Sequence, residues 1–225
     1  MRIGLLGHGY WGKILLSKLN KMPDSKVVWI YTSQDDWENC DIELDWVFIA
    51  TPNNLHYKQA LHFIKRGINV FCEKPLTPTY KQSKKLFEAA KRFNVKIYVD
   101  DVFNYRVEQK QIPNLQHDID VVWNKKSNNT LYDLLYHDLY LLYPILNKQK
   151  LKINFPKINN ITFSYGKLDD RVHKINQIDF TNSPDSNDAL MEMIKKVLYD
   201  SPNYRYNEQI TTFCNKIIDE IKGNI

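Results

Sequence analysis

The chain has 225 residues, of which 43% are hydrophobic and 25% charged, and this balance excludes a disordered or collagen-like chain. The net charge of +5 is not gathered in one block, which argues against a nucleic-acid-binding protein. Three scattered cysteines without a C-x-x-C pair indicate neither a disulfide framework nor a zinc site, so we expect no bound metal.

The sequence has no segment of the kind that enters a membrane. Its apolar runs all fall short of the roughly 18 residues that a transmembrane helix needs. The apolar N-terminal stretch has one basic residue, Arg2, and is interrupted by Gly7, His8 and Gly9, unlike a signal peptide. We therefore expect a cytoplasmic protein.

The first hundred residues alternate between short apolar runs and segments with helical periodicity. Strands are predicted over 1–6, 26–31, 45–50, 68–72 and 95–99, and helices over 10–21, 54–66 and 79–93. This alternation predicts an α/β fold with a doubly wound parallel sheet.

Glycine is concentrated at the first predicted turn. Gly7, Gly9 and Gly12 form a G-x-G-x-x-G pattern between a predicted strand and a predicted helix, which is typical of a dinucleotide-binding turn. The first glycine allows the turn, the second lets main-chain N–H groups approach a pyrophosphate, and the third allows close packing of helix and strand. We predict that these glycines, with Tyr10 and Trp11 between them, bind a dinucleotide. A glycine-rich turn without a ligand is the alternative.

The end of the second predicted strand is where an acidic residue usually binds the adenosine ribose. Thr32 and Ser33 stand there instead, while Asp35 and Asp36 come slightly late. No arginine or lysine lies beside them to hold a 2′-phosphate. The predicted cofactor is therefore NAD or NADP, with Thr32 and Ser33 on its adenosine side, and the short crossover after them predicts an abbreviated pocket there.

Two further segments follow the third and fourth predicted strands, a T-P-N-x-x-H segment and an E-K-P segment. They consist of Thr51, Pro52, Asn53, His56, Glu73, Lys74 and Pro75. Together with the glycine turn, they resemble the glucose–fructose oxidoreductase/inositol dehydrogenase/MocA (Gfo/Idh/MocA) family, closely over roughly the first hundred residues and loosely beyond. The chain is shorter in its second half than this family's pattern.

The resemblance implies a role for each segment. The residues implied to line the nicotinamide side of the cofactor are Thr51, Pro52, Asn53 and His56. Glu73 and Lys74 would face the nicotinamide ribose, and Lys74 would also face the substrate and exchange a proton with it. Both segments follow parallel strands, whose carboxyl ends are where ligands bind in such sheets. A surface lysine beside a turn proline, and a histidine that merely caps or solvates its helix, are the alternatives.

After residue 100 the alternation stops. Strands are predicted over 102–107, 119–123, 158–165 and 172–180, and helices over 130–146, 189–199 and 206–222, with Pro144 expected to end or kink the first helix. Grouped strands predict a small α+β domain with a mostly antiparallel sheet. The predicted domains are a Rossmann domain over 1–100 and a substrate or oligomerisation domain over 101–225, whose C-terminal helix could pack back on the first.

The predicted helix over 130–146 carries Asp133 and His137 on one face, at i and i+4. It resembles the family's D-x-x-x-H helix, which implies that His137 and Lys74 handle the proton of a substrate hydroxyl while Asp133 orients the imidazole. Leu135 stands where the family commonly has glycine. A packing helix with a purely structural Asp–His pair is the alternative. A stripe of tyrosines on this helix is expected to serve packing or dimerisation.

Taken together, these patterns predict an NAD(P)-dependent oxidoreductase that transfers a hydride between nicotinamide and a sugar or nucleotide-sugar alcohol or ketone. The expected partners are a polyhydroxylated small molecule and further copies of the chain, as a dimer or tetramer, without nucleic acid or membrane. A catalytically reduced sensor or partner protein of the same fold is the alternative, indicated by the short crossover and the absent ribose acid.

Overall fold

The computed structural model describes residues 1–32, 36–115, 118–124, 131–166, 172–181 and 186–223, apart from the side chains of 133, 186 and 187. The chain divides into two compact units. Unit 1 comprises Met1–Asp100 and Met191–Asn215, and unit 2 comprises Asp101–Leu190 and Lys216–Ile225.

Unit 1 is built on a five-stranded parallel sheet. Its strands are β1 (Arg2–Leu6), β2 (Lys26–Tyr31), β3 (Trp46–Ile49), β4 (Asn69–Cys72) and β5 (Ile97–Val99), and its first helices are α1 (Tyr10–Leu19), α2 (Asn53–Lys65) and α3 (Tyr80–Arg92). The strand order is β2-β1-β3-β4-β5, with every pair parallel. The predicted parallel sheet of Rossmann type is confirmed.

Burial explains why these apolar runs become strands. All four residues of β3 are buried, as expected for a central strand that is covered on both faces. Side chains from the strands and from α2 and α3 form one core, which includes Leu6, Val47, Ile49, Phe63, Ile64, Val70, Leu86 and Val99. The helices thus bury the sheet and leave its carboxyl edge to the loops.

The connection between β2 and β3 has no helix over its described residues 36–44. The Asp36 carboxylate accepts hydrogen bonds from the main-chain N–H of Glu38 at 3.0 Å and from Asn39 Nδ2 at 2.6 Å. Trp37 packs on α2, with its ring centroid 6.4 Å from that of Phe63. Asp36 is therefore engaged within its own turn, and β2 is the edge strand of the described sheet.

Unit 2 contains a six-stranded sheet in the order β11-β10-β6-β9-β8-β7. The strands are β6 (Ile119–Asn124), β7 (Ile153–Asn154), β8 (Lys157–Ile158), β9 (Ile161–Gly166), β10 (Val172–Ile175) and β11 (Ile178–Asp179), and the helix is α4 (Leu131–Leu146). Among the described pairs, β6–β9 is parallel and the others are antiparallel. The predicted α+β unit with a mostly antiparallel sheet is confirmed.

Two strands predicted as continuous are hairpins. The segment predicted over 158–165 turns at Asn159, and that over 172–180 turns at Asn176, where φ is 54° and 51° respectively. Asparagine adopts this left-handed conformation more readily than most residues do. Each apolar run therefore folds back on itself and pairs antiparallel.

The prediction of a strand over 102–107 is wrong. This segment forms two 3₁₀ turns, Val102–Tyr105 and Val107–Asn114. The Asn104 main-chain N–H donates to the Asp101 carbonyl oxygen at 2.8 Å, and Asn104 Nδ2 donates to Asp101 Oδ2 at 3.2 Å. Such local hydrogen bonds compete with the extended conformation that the apolar residues favour.

The last helices return part of the chain to unit 1. They are α5 (Ser186–Lys195), a π-helical turn over Lys196–Asp200, and α6 (Tyr204–Gly223). Residues 191–215, within the segment predicted as the second domain, belong to unit 1. On α6, Asn207 Nδ2 donates to the Val99 carbonyl oxygen and Asn207 Oδ1 accepts from the Val99 N–H, both at 2.9 Å. The Asn207 side chain thus makes the two main-chain hydrogen bonds with edge strand β5 that a neighbouring strand would make.

Within the described part of the chain, no helix combines the length and the apolar character needed to cross a bilayer.

Replacing Asn207 with alanine is expected to lower the free energy of unfolding by about 2–4 kcal/mol, because it leaves two buried main-chain groups of Val99 without partners. Urea unfolding measures the change. Gln209→Ala, an exposed position on the same helix, is the control and should change stability little. Equal effects of the two substitutions would contradict this role for Asn207.

Candidate functional site

Two of the three turn glycines are required by close main-chain packing. Gly7 has a φ of 95°, and a Cβ added to it would lie 2.6 Å from the Ala50 carbonyl oxygen. A Cβ on Gly12 would lie 1.9 Å from the Gly7 carbonyl oxygen. Any larger residue at these positions would force the turn, the start of α1 and the loop after β3 apart.

Gly9 has different surroundings. No atom lies within 4 Å of a Cβ built on Gly9 among the described residues, so this side of the turn is open. Gly9 precedes α1 and brings no side chain to cap it, which leaves the first N–H groups of the helix to an external acceptor. Tyr10 and Trp11 follow, 76% and 47% exposed. Open space and a helix N-terminus without a side-chain cap among the described residues together fit the diphosphate of a dinucleotide.

The end of β2 is tied to this turn, since the Gly7 N–H donates to the Tyr31 carbonyl oxygen at 3.1 Å. Thr32 follows directly and is half-buried. Ser33 lies outside the described residues. Of the two residues predicted to lie on the adenosine side of the cofactor, Thr32 is therefore the one that the structure describes.

The T-P-N segment lies between β3 and α2. Thr51 Oγ1 donates to Gln59 Oε1 at 2.6 Å, while Pro52 and Asn53 are exposed at the start of α2. Since β1 and β3 are adjacent and parallel, this segment and the glycine turn follow neighbouring strands at one edge of the sheet. The order of strands reverses here, as at the crevice where open α/β sheets bind ligands.

His56 joins the two family-like segments. Its ring is buried, with Nδ1 2.9 Å from the Pro75 carbonyl oxygen and Nε2 2.8 Å from the Thr51 carbonyl oxygen. Burial lowers the pKa of His56, so the neutral ring donates to one of these carbonyls at a time. His56 thus holds the loops of Thr51 and Lys74 together from inside unit 1, rather than solvating the helix surface.

The E-K-P segment follows β4. The Glu73 main-chain N–H donates to the Ile49 carbonyl oxygen at 2.8 Å, Lys74 is half-buried, and the Lys74–Pro75 peptide bond is cis. Glu73 is therefore anchored to the strand before the T-P-N segment, and Lys74 stands at the same edge of the sheet.

Glu73 has an acidic neighbour that the sequence analysis missed. Cys72 and Val99 are register partners on adjacent strands, so the residues that follow them, Glu73 and Asp100, lie side by side. They are 7% and 5% exposed. Burial and then the negative charge of Asp100 raise the pKa of Glu73 well above its usual range, against the opposing effect of Lys74. A side-chain hydrogen bond to Asp100 adds to this upward shift of the Glu73 pKa, so the two buried acids interact directly beside Lys74.

In unit 2, His137 lies on α4 and is half-buried. Its ring centroid is 4.6 Å from that of Phe103 and 5.6 Å from that of Trp123. The side chain of Asp133, its predicted partner, lies outside the described residues. Tyr136, Tyr140 and Tyr143 on the same helix are buried, so this part of the tyrosine stripe serves packing.

The buried acid beside His137 is Asp138, which the sequence analysis also missed. Asp138 Oδ1 lies 2.7 Å from His173 Nε2, and Asp138 Oδ2 accepts a hydrogen bond from the Tyr165 hydroxyl at 2.7 Å. Burial and then the charge of Asp138 raise the pKa of Tyr165 well above 10, so this hydroxyl keeps its proton. An acidic residue directly after His137, on a mostly apolar helix, was the signal in the sequence.

A cleft of about 660 Å³ lies elsewhere in unit 1, between the end of α3 and the start of α6. Phe87, Ile97 and Tyr204 are among its lining residues, and none of the predicted site residues lines it. The motif residues of unit 1 and the buried acids Glu73 and Asp100 lie instead at the carboxyl edge of its sheet.

The lowered pKa of His56 predicts a pH dependence of stability. The unfolded chain binds this proton more readily than the folded chain does, so the free energy of unfolding rises with pH between the lowered pKa and 6.5. One proton contributes at most about 1.4 kcal/mol per pH unit. We expect His56→Gln to flatten this slope in urea unfolding between about pH 5 and 7.

His8→Gln, at an exposed position, is the control for this experiment and should leave the slope as it is. Parallel stability curves for His56→Gln and the unsubstituted chain would show that the buried ring does not titrate as described.

Comparison with known proteins finds matches to part of unit 1. Residues 31–101 match the family model described as oxidoreductase family, NAD-binding Rossmann fold. An uncharacterized oxidoreductase of Streptococcus pneumoniae is 29% identical over 122 residues, 47% of this chain and 33% of the relative. Levoglucosan dehydrogenase of Pseudarthrobacter phenanthrenivorans is 40% identical over 76 residues, 33% of this chain and 19% of the relative. The matched segments thus span a third or less of these relatives' own length.

The fold extends over more of the chain than these sequence matches do. The crystal structure of GenD2 from gentamicin A biosynthesis, in complex with NAD, superposes with a TM-score of 0.76 at 14% identity, covering 97% of this chain and 92% of that one. At this identity the likeness establishes the fold. The matched segment includes the T-P-N and E-K-P residues, so this part of the chain is similar to that oxidoreductase family, and the chain shares the fold of the NAD-bound structure.

Proposed function

We propose that this protein is an NAD(P)-dependent oxidoreductase that acts on a CH–OH group of a polyhydroxylated, sugar-type substrate. The observation that carries the proposal is the arrangement at one edge of the unit 1 sheet, where the open glycine turn and the half-buried Lys74 follow strands of the same parallel sheet. The relative named levoglucosan dehydrogenase supports a sugar-type substrate.

The residues of the glycine turn fit a dinucleotide. The open side at Gly9 leaves room for a diphosphate, and the N–H groups that begin α1 would donate to it. Tyr10 and Trp11 would border the bound molecule, and Thr51, Pro52 and Asn53 would lie toward its nicotinamide end. A nicotinamide dinucleotide held there would supply the hydride acceptor or donor for the reaction.

Lys74 and His137 are proposed to exchange the proton of the substrate hydroxyl. When the alcohol is oxidised, the hydroxyl proton passes to Lys74 Nζ or to an imidazole nitrogen of His137, and the reverse reaction returns it. Asp133 is proposed to orient His137 from one helical turn before it.

A dinucleotide-binding protein without turnover is the second candidate. It is favoured by the short connection between β2 and β3, where Asp36 is engaged in its own turn and Thr32 stands at the ribose position. The two candidates share the glycine turn and differ in whether Lys74 acts on a substrate, so the two experiments below separate them.

Gly9→Ala is expected to weaken dinucleotide binding about tenfold or more, since the added methyl group enters the space proposed for the diphosphate. Titration of the chain with NADH and NADPH measures the Kd, and urea unfolding should show unchanged stability. Gly12→Ala is the matched variant, and it should lose stability because its methyl group meets the Gly7 carbonyl oxygen. Binding by Gly9→Ala equal to that of the unsubstituted chain would reject the turn as the binding site.

Lys74→Met is expected to lower kcat by about 10²–10⁴-fold while the Kd for the dinucleotide stays unchanged, as for loss of a proton-transfer group. The assay follows NAD(P)H absorbance with a panel of sugars, polyols and nucleotide sugars. Lys81→Met, at an exposed position on α3, is the control and should keep full activity. Full activity of Lys74→Met would reject its role, and dinucleotide binding without turnover of any panel member would favour the second candidate.

A further inference from the structure

The buried acid of unit 2, Asp138, lies directly after His137 on α4. Asp138 is fully buried, and burying a carboxylate costs several kcal/mol that its partners only offset. Apolar replacements of buried ion pairs are often neutral or stabilising. A buried carboxylate with two directional partners is therefore better explained by what it orients.

The partners of Asp138 come from two strands of the sheet. His173 Nε2 on β10 and the Tyr165 hydroxyl on β9 each lie 2.7 Å from one oxygen of the carboxylate. Both oxygens are thus engaged at short distance, as in charge-assisted hydrogen bonds. Together they fix the rotation of α4 about its axis and its height over the sheet. His137, the preceding residue, points about 100° away around the helix, so its direction is set as well.

A second connection runs through aromatic rings. The His173 ring stacks on Trp123 with centroids 3.8 Å apart and planes 19° apart, and Trp123 in turn lies 5.6 Å from the His137 ring. Phe103 contacts all three rings, at 4.6 Å from His137, 5.5 Å from His173 and 6.2 Å from Trp123. The rings of Phe103, Trp123 and His173 thus form one wall beside His137, and Asp138 is hydrogen-bonded to the His173 ring.

Two polar atoms of this wall are buried without a hydrogen-bond partner among the described residues, His173 Nδ1 and Trp123 Nε1. Buried polar atoms of this kind cost free energy. In the described structure the contact with Asp138 is the one hydrogen bond of the His173 ring, so it decides which way the ring faces. Without it, neither His173 nor the stacked Trp123 has a directional contact that fixes its orientation.

We propose that Asp138, through His173 and Trp123, is the positioning residue of His137. The inference rests on the proposed function, in which His137 exchanges a proton with the substrate. It names a residue that touches neither substrate nor cofactor and that acts by holding the imidazole in a productive orientation.

The test compares Asp138→Asn and His173→Gln with the unsubstituted chain. Both substitutions keep the approximate size of the side chain but remove the charge-assisted bond or the stacked ring. We expect the ring resonances of His137 and the indole N–H resonance of Trp123 to shift in both variants, in NMR spectra of histidine- and tryptophan-labelled protein. We expect kcat to fall about 10- to 100-fold, as for a misplaced catalytic group, with the dinucleotide Kd unchanged.

Ile175→Val is the matched control, since it removes one buried methyl group from the same strand and lowers stability by about 0.5–1.5 kcal/mol. It should leave the resonances and kcat unchanged. Resonances that stay in place in Asp138→Asn and His173→Gln would overturn the inference, and so would equal effects of Ile175→Val. Shifted resonances with unchanged kcat, in a chain that His137→Ala inactivates, would overturn it too.

A different result would reject the proposed function. If His137→Ala keeps full turnover, the proton-transfer role of His137 is rejected, while the resonance shifts still decide whether Asp138 positions the ring. The two failures are therefore distinguishable in one set of variants.

Discussion

The close approach of main chain to main chain at the first turn determines where the rest of unit 1 lies. With 1.9 Å between a Cβ on Gly12 and the Gly7 carbonyl oxygen, α1 can begin against the end of β1 only if both positions lack side chains. The same turn lies against Ala50 at the end of β3. This contact sets the start of α1 beside the T-P-N segment, and the buried His56 extends the connection to the E-K-P loop. Three separated motifs thus become one edge of a sheet.

The strands and helices of unit 1 were predictable because each has a local cause in the sequence. Apolar runs with flanking turn residues gave the strands, and the spacing of Gly7, Gly9 and Gly12 gave the turn. The Asn159 and Asn176 hairpins were missed, since an apolar run on both sides of an asparagine has the same pattern as one long strand. The segment after Asp101 was missed for a related reason, because local hydrogen bonds outweighed its apolar character.

The candidate site was predictable only in part, because some of its contacts join residues that are far apart in the sequence. Glycines, Lys74 and His137 belong to segments whose residue order carries the resemblance. The buried acids have partners that only the fold brings close. His173 is 35 residues from Asp138 in sequence, and Asp100 meets Glu73 only because β4 and β5 are register neighbours. In both units a buried acidic residue stands next to a residue proposed to move a proton, and in both its partner comes from a distant part of the sequence.

The pairing of Asn207 with Val99 has a consequence for biosynthesis. The two residues are 108 positions apart, so the edge of β5 lacks this partner until residue 207 has been synthesised and has left the ribosome. An exposed strand edge can pair with another chain. The sheet of unit 1 is therefore completed only when α6 has been made, and a chain that ends before α6 would expose the edge of β5.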